Sequence, residues 1–193
     1  PVWLDIPLNV QAAMIDENSL ESYTPKDNDR VEFDHQSIEK TVAFVLEKIK
    51  TSERPVILAG AGIRLGGAYE LFQDVIEKLG VPVLTAWDAI DLMYDDHPLY
   101  FGRPSTVGQR GANFIFQNAD LLLSMGCRLN IRQIGFNFDA VARAAYKIIL
   151  DIDPVELSKP TIRPDLPIPF TPTLPLHPLM VPMAFSKSPF RVS

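Results

Sequence analysis

The segment RPVILAGAGIRLGG, residues 54–67, constrains this chain more than any other. Val56, Ile57 and Leu58 run together without polar alternation, which reads as a strand covered on both faces, and such strands belong to parallel sheets. The run ends in Gly60-Ala61-Gly62, and a helical pattern follows. A strand that enters a helix through such a turn leaves backbone N–H groups without intrahelical partners, pointing outward, and these suit a phosphate. The same glycines serve equally well in a close strand-to-helix turn that needs no ligand. The spacing is not G-x-G-x-x-G, because the third glycine arrives one place late, at Gly66.

Strand and helix signals alternate on both sides of this segment. Apolar runs predict strands over 55–59, 81–85, 119–125 and 147–151, with a fifth near 98–102. Helical spacing of Ile38, Val42, Val45, Leu46 and Ile49 predicts a helix over 35–52, with Asp34 as its N-cap. A second helix is expected over 68–79, with Leu71, Phe72, Val75, Ile76 and Leu79 buried and Gly80 as its stop. Further helices are expected over 109–118 and 137–145. The pattern specifies an α/β fold: a doubly wound, mainly parallel sheet of about six strands flanked by helices. Residues 1–34 read as a short apolar strand followed by a polar, acidic linker, and residues 35–168 as the α/β domain. Residues 169–193 read as an irregular tail, since the stretch from Pro167 holds seven of the 17 prolines and no Asp or Glu.

Composition narrows the function. A net charge of −6 with no basic stripe argues against nucleic acid as a partner. A single cysteine, Cys127, allows no internal disulfide and points to a reducing, cytoplasmic setting. No apolar run approaches the roughly 20 residues that span a bilayer, so no membrane association is expected. The chain opens on Pro1 without an initiator Met and reads as a piece of something longer.

Several segments carry a resemblance, in order and at matching spacings. They are PVWLDIPLNVQ (1–11), RPVILAGAGIR (54–64), LGVPVLTAWDAID (79–91), DDHPLYFGRPSTVGQRGAN (95–113), NADLLLSMGCRLN (118–130) and KIILDIDPVELSKPTIRPDLPI (147–168). Together they resemble the central domain of thiamine-diphosphate-dependent enzymes of the acetolactate synthase and pyruvate oxidase type. The first segment resembles the close of that family's pyrimidine-binding domain, with Asn9 where Asp is usual. The resemblance implies a sheet related to NAD- and FAD-binding sheets, of the deoxyhypusine synthase type, and a parent enzyme that decarboxylates and ligates 2-keto acids. It also implies thiamine diphosphate and Mg²⁺ held between a pyrimidine-binding and a diphosphate-binding domain of the same parent chain, and a homo-oligomeric parent. The G-D-G…N motif that holds the metal and diphosphate in the family does not occur here. The implied role of this chain is structural, with FAD or another nucleotide as a further ligand, and not catalytic alone. Two other readings stand beside it: a stand-alone nucleotide-binding oxidoreductase domain, and a purely structural assembly module.

The candidate cofactor-binding residues are Gly60, Ala61, Gly62 and Arg64 after the first strand, with Gly126 and Arg128 after the third. Both sets lie at the carboxyl edge of a parallel sheet, where ligands bind in open α/β folds. In flavin-binding relatives the glycine and arginine matching Gly126 and Arg128 lie against the dinucleotide. Each also has a plain reading as a turn or solvent-facing residue. No catalytic or metal-binding residue is assigned. Asp151 and Asp153 read as a strand edge, Cys127 as a small buried residue, and His97 as a local cap. Trp87, Phe136 and Phe138 read as core or interdomain packing. Arg103, Gln109 and Arg110 flank Gly108 in an expected flexible loop that reaches toward a cofactor or a neighbouring domain.

Overall fold

The computed structural model describes residues 3–21 and 35–169, with the backbone alone for 35–38. The chain divides into two compact units, residues 1–32 and 33–193. Among the described residues of the first unit the expected strand is absent. Residues 3–7 join no β-ladder; Ile6 and Pro7 instead offer their carbonyls to the one-turn helix that follows, α1 (Leu8–Gln11). Proline fixes φ and suits a helix start, which explains the change of conformation there. A 3₁₀ turn over Glu17–Ser19 is capped by the Asp16 carboxylate, which accepts from Asn18 N. The large apolar side chains from Trp3 to Leu20 are exposed, Trp3 at 92% and Met14 at 99%.

The second unit is the α/β domain. Helix α2 (His35–Thr51) buries Val42, Val45, Leu46 and Ile49 on the predicted face. The Asp34 cap and the side chain of Ile38 lie outside the described residues. Strand β1 (Pro55–Ala59) is buried at every position, as its unbroken apolar run requires. A single turn, α3 (Gly62–Leu65), leads to α4 (Tyr69–Leu79), which buries Phe72, Val75, Ile76 and Leu79 and stops at left-handed Gly80 (φ 62°). Burying four such side chains stabilises the domain by about 1.5–3 kcal/mol each. Next come β2 (Val83–Thr85), α5 (Arg110–Asn118) and the fully buried β3 (Leu121–Met125), then the short α6 (Ile131–Ile134). Strand β4 (Tyr146–Leu150), α7 (Pro154–Ser158) and β5 (Leu166–Ile168) complete the domain.

The five strands form one sheet in the order β2-β1-β3-β4-β5, and every pairing is parallel. The doubly wound α/β fold is therefore present, with β1 and β3 at its centre. The strand expected near 98–102 is reduced to one bridge, Tyr100 to Val83. The fifth strand is β5 instead; it holds Pro167, which a strand with one neighbour tolerates because a missing N–H costs least there. The helix expected over 137–145 is a 3₁₀ turn at Phe138–Ala140. Ala142 takes φ 40°, and its N–H goes to Gln117 Oε1 on α5, so a tertiary hydrogen bond overrides the local helical spacing. At the amino edge, the Asp120 carboxylate accepts from both Glu53 N (2.8 Å) and Arg54 N (2.9 Å), fixing where β1 begins.

Candidate functional site

The strand order reverses direction between β1 and β3, so the crevice outside their carboxyl ends is where an open α/β sheet places a ligand. The glycines meet there, but against each other. Gly60 N donates to Met125 O (2.9 Å), Gly62 N donates to Gly126 O (3.0 Å), and Gly126 N donates to Leu150 O (2.9 Å). The N–H groups of Gly60 and Gly62 are therefore not free to face a phosphate, contrary to the expectation of unpaired donors. A Cβ on Gly60 would stand 2.2 Å from Gly126 O, and one on Gly62 would stand 2.7 Å from Gly126 Cα. Both distances forbid a side chain, so glycine is required for backbone to lie on backbone. Gly126 itself takes φ +62°. Ala61 precedes α3 as part of the same joint.

The two candidate arginines are also engaged. Arg64 Nε lies 2.6 Å from Asp91 Oδ2, Nη2 donates to Asp91 O, and the guanidinium sits 4.2 Å over the Tyr69 ring. Arg128 Nε donates to Glu156 Oε1 at 2.7 Å. Neither arginine lines the cavity described next.

That cavity, of about 290 Å³, lies at the same carboxyl edge but one loop further along. Ala86, Trp87 and Asp88 enter it from the end of β2, and Thr106 and Val107 from the loop before α5. Cys127, Asn130, Arg132 and Gln133 enter it from the end of β3 and from α6. It therefore spans the end of β1, which lies between those two strands. The indole of Trp87 is 55% exposed, and its Nε1 is held by Ser105 Oγ (2.9 Å). It offers a fixed, open aromatic face, so Trp87 is not a core residue. Asn130 caps α6, accepting from Arg132 N and Gln133 N. Gln133 Nε2 donates to Pro104 O, and Ser105 exchanges hydrogen bonds with Asn113. Gln109 Oε1 accepts from Arg103 N, so the loop expected to be flexible is tied at several points. Arg110 lies over the Phe114 ring on α5 instead of in the cavity. Arg132 and Asp88 bring opposite charges to the lining.

Cys127 faces this wall, but its thiol donates to Leu58 O (3.2 Å), and burial pushes its pKa from 9.0 to about 12. A thiol so raised is no nucleophile near neutrality. His97 accepts from Leu99 N through Nδ1 and meets Glu77 through Nε2 (2.8 Å), as a local cap. Phe136 is 83% exposed and belongs to no core. Asp151 Oδ1 accepts from Asp153 N, and Asp153 Oδ1 caps α7 through Val155 N. One oxygen of each carboxylate is thus tied to local backbone at the strand edge, and no third carboxylate, His or Cys among the described residues joins the pair as a ligand set would need. Among the described residues no three His, Cys, Asp or Glu side chains cluster as metal ligands. Nor is any described helix long and apolar enough to cross a membrane.

A second cavity, of about 300 Å³, shares Asn130 with the first and is lined on its far side by Glu156 and Lys159. Sequence reasoning missed Asn130, Arg132 and Gln133, which form the β3 side of the first cavity. The available signal was an N-cap residue two places after Arg128, at the carboxyl end of a buried strand.

The domain is thus a parallel, doubly wound α/β sheet with a crevice at its switch point, lined by apolar surface with a few polar and charged side chains. Residues 42–175 match the family described as thiamine pyrophosphate enzyme, central domain, and the chain belongs to that family. It is 34% identical over 177 residues to a probable acetolactate synthase large subunit of Methanocaldococcus jannaschii, covering 87% of this chain and 28% of the relative. It is 31% identical over 170 residues to the Methanococcus aeolicus counterpart, with the same coverage. It is 33% identical over 160 residues to acetolactate synthase isozyme 1 large subunit of Escherichia coli, covering 82% of this chain and 27% of the relative. The chain thus spans little more than a quarter of the length of these relatives.

Proposed function

We propose that this chain serves as the central domain of an acetolactate-synthase-like enzyme acting on 2-keto acids in the cytoplasm. The match to the central-domain family, together with the likeness to acetolactate synthase large subunits, carries this reading. Thiamine diphosphate, with Mg²⁺, supplies the carbon nucleophile when bound by the whole enzyme, between pyrimidine-binding and diphosphate-binding domains of a homo-oligomeric parent. This chain's own residues do no bond-making. Their work is to hold a nucleotide, FAD or a piece of it, at the carboxyl edge of the sheet. Trp87 supplies a stacking face, Arg132 a positive charge for phosphate, and Asp88 an acceptor for a ribose hydroxyl. The cavity is at the small end of ligand sites, which run from roughly 300 Å³ upward, and suits one end of a dinucleotide. Gly60, Ala61, Gly62 and Gly126 support the crevice through the joint beneath it, while Arg64 and Arg128 brace its rim through Asp91 and Glu156.

One observation favours a second reading. The N–H groups of Gly60 and Gly62 are consumed inside the protein, as an assembly module with a vestigial site would have them. Calorimetric titration of the chain with ADP, FAD and NAD separates the two. The nucleotide reading expects FAD or ADP to bind at sub-millimolar concentration. Failure of all three at millimolar concentration overturns it in favour of the spacer role.

A further inference from the structure

The loop that leaves β3 is strained in a way that its own residues do not explain. Arg128 and Leu129 take φ 55° and 48°, left-handed values that side chains disfavour, two residues after left-handed Gly126 (φ 62°). Leu129 N donates back to Cys127 O at 2.5 Å, closing a three-residue turn around Arg128. Such conformations persist only where the surroundings over-determine them. The surroundings here are two side chains from α7 and its C-terminal cap. Lys159 Nζ donates to Arg128 O, to Leu129 O (3.1 Å) and to Glu156 Oε2 (2.8 Å). An ammonium has three protons to donate, and all three are used. Glu156 turns its other oxygen to Arg128 Nε at 2.7 Å. The group is not fully solvated either: the Lys159 and Glu156 side chains are 19% and 17% exposed, so water competes weakly for these bonds. The Lys159 hydrogen bond and charge hold the Glu156 carboxyl below its usual range.

We propose that Lys159 and Glu156 are positioning residues, a clamp that holds Arg128 and Leu129 in their left-handed form and so sets the wall between the two cavities. Lys159 does not line the first cavity, yet the two carbonyls it grips belong to the residues between Cys127 and Asn130, which do. Its saturated donors also mean that it is not itself an anion site. The predicted effect on ligand affinity rests on the nucleotide-binding reading above; the effect on loop geometry does not.

Cys127, the sole cysteine, reports on the loop directly. Its reaction with a maleimide in the full chain measures how often the loop opens. Lys159→Met should raise the labelling rate by about tenfold or more under native conditions, because releasing the clamp frees two strained residues to relax. Lys159→Arg should restore slow labelling, since the guanidinium keeps the charge and donors. Glu156→Gln, which preserves shape, should raise the rate by less than Lys159→Met, and it keeps the test open if the methionine variant does not fold. ADP binding to Lys159→Met should weaken in parallel. Equal labelling of the parent chain, Lys159→Met and Glu156→Gln overturns the proposal, as does fast labelling that Lys159→Arg fails to slow. If the parent chain binds no ADP while Lys159→Met still labels faster, the clamp stands and the nucleotide reading falls. If ADP binds all variants alike and labelling is unchanged, the clamp falls and the nucleotide reading stands.

Discussion

The two loops that meet at the centre of the carboxyl edge are built by opposite means. The turn after β1 is held backbone to backbone: Gly60 and Gly62 spend their N–H groups on the β3 side, and no side chain separates the two backbone segments. The loop after β3 is held by side chains: Asn130 caps α6, Gln133 reaches Pro104, and Lys159 grips two carbonyls from outside. A joint made of backbone tolerates no substitution and presents nothing to a ligand. A loop propped by side chains leaves a cavity beside it and can be retuned one residue at a time. Stability belongs to the first, and under the nucleotide-binding reading proposed above recognition falls to the second.

The sharpest way to break that assignment is Gly60→Ala. Its Cβ would stand 2.2 Å from Gly126 O and 2.5 Å from Cys127 Cα, both backbone atoms that cannot step aside alone. Urea unfolding should show a loss of about 3 kcal/mol or more, the upper end of what overpacking costs. A midpoint unchanged from the parent chain would mean that the joint is looser than it looks. The matching change on the other side is Arg132→Ala. It should leave the midpoint in place and weaken ADP or FAD by about 1.5–3 kcal/mol, the range for a hydrogen bond to a charged group. An equal loss of stability would erase the distinction between the two loops.

A finer test uses Cys127, which sits on the boundary. Its thiol belongs to the joint through Leu58 O, and burial raises its pKa from 9.0 to about 12. Below pH 9 both folded and unfolded chains keep the proton, and stability is unaffected. Between about 9 and 12 only the unfolded chain loses it, so stability falls as pH rises. The fall approaches about 1.4 kcal/mol per pH unit for one proton. Cys127→Ala should remove that part of the slope. Identical slopes for both chains would place the thiol in water.

The backbone-built half of the molecule was largely legible in the sequence. Strands β1 and β3 are covered on both faces, so they read as unbroken apolar runs, and α4 announced itself through Phe72, Val75, Ile76, Leu79 and the Gly80 stop. What failed was decided at a distance. Residues 137–145 carry helical spacing, but Gln117 on α5 takes the Ala142 N–H and turns the chain. The strand sought near 98–102 shrank to a bridge at Tyr100, while a segment weakened by Pro167 paired with β4. At the site, the glycines showed where the crevice opens but not who lines it. Asn130, Arg132 and Gln133 lie on a single turn of helix, too short to impose any period, and their meeting with Trp87 and Asp88 is a product of strand order.

The bracket at the other edge of the sheet bears on how the domain comes together. Asp120 accepts the N–H groups of Glu53 and Arg54 across sequence separations of 67 and 66 residues, and β1 pairs with β3 from Pro55 opposite Leu121 onward. The middle of the sheet cannot close until everything between those strands has been synthesised and gathered in, and loop-closure entropy opposes each attempt. Until then β1 and β3 are two unbroken apolar segments with open edges. A domain wired in this way folds slowly for its size and depends, during that interval, on not meeting another copy of itself.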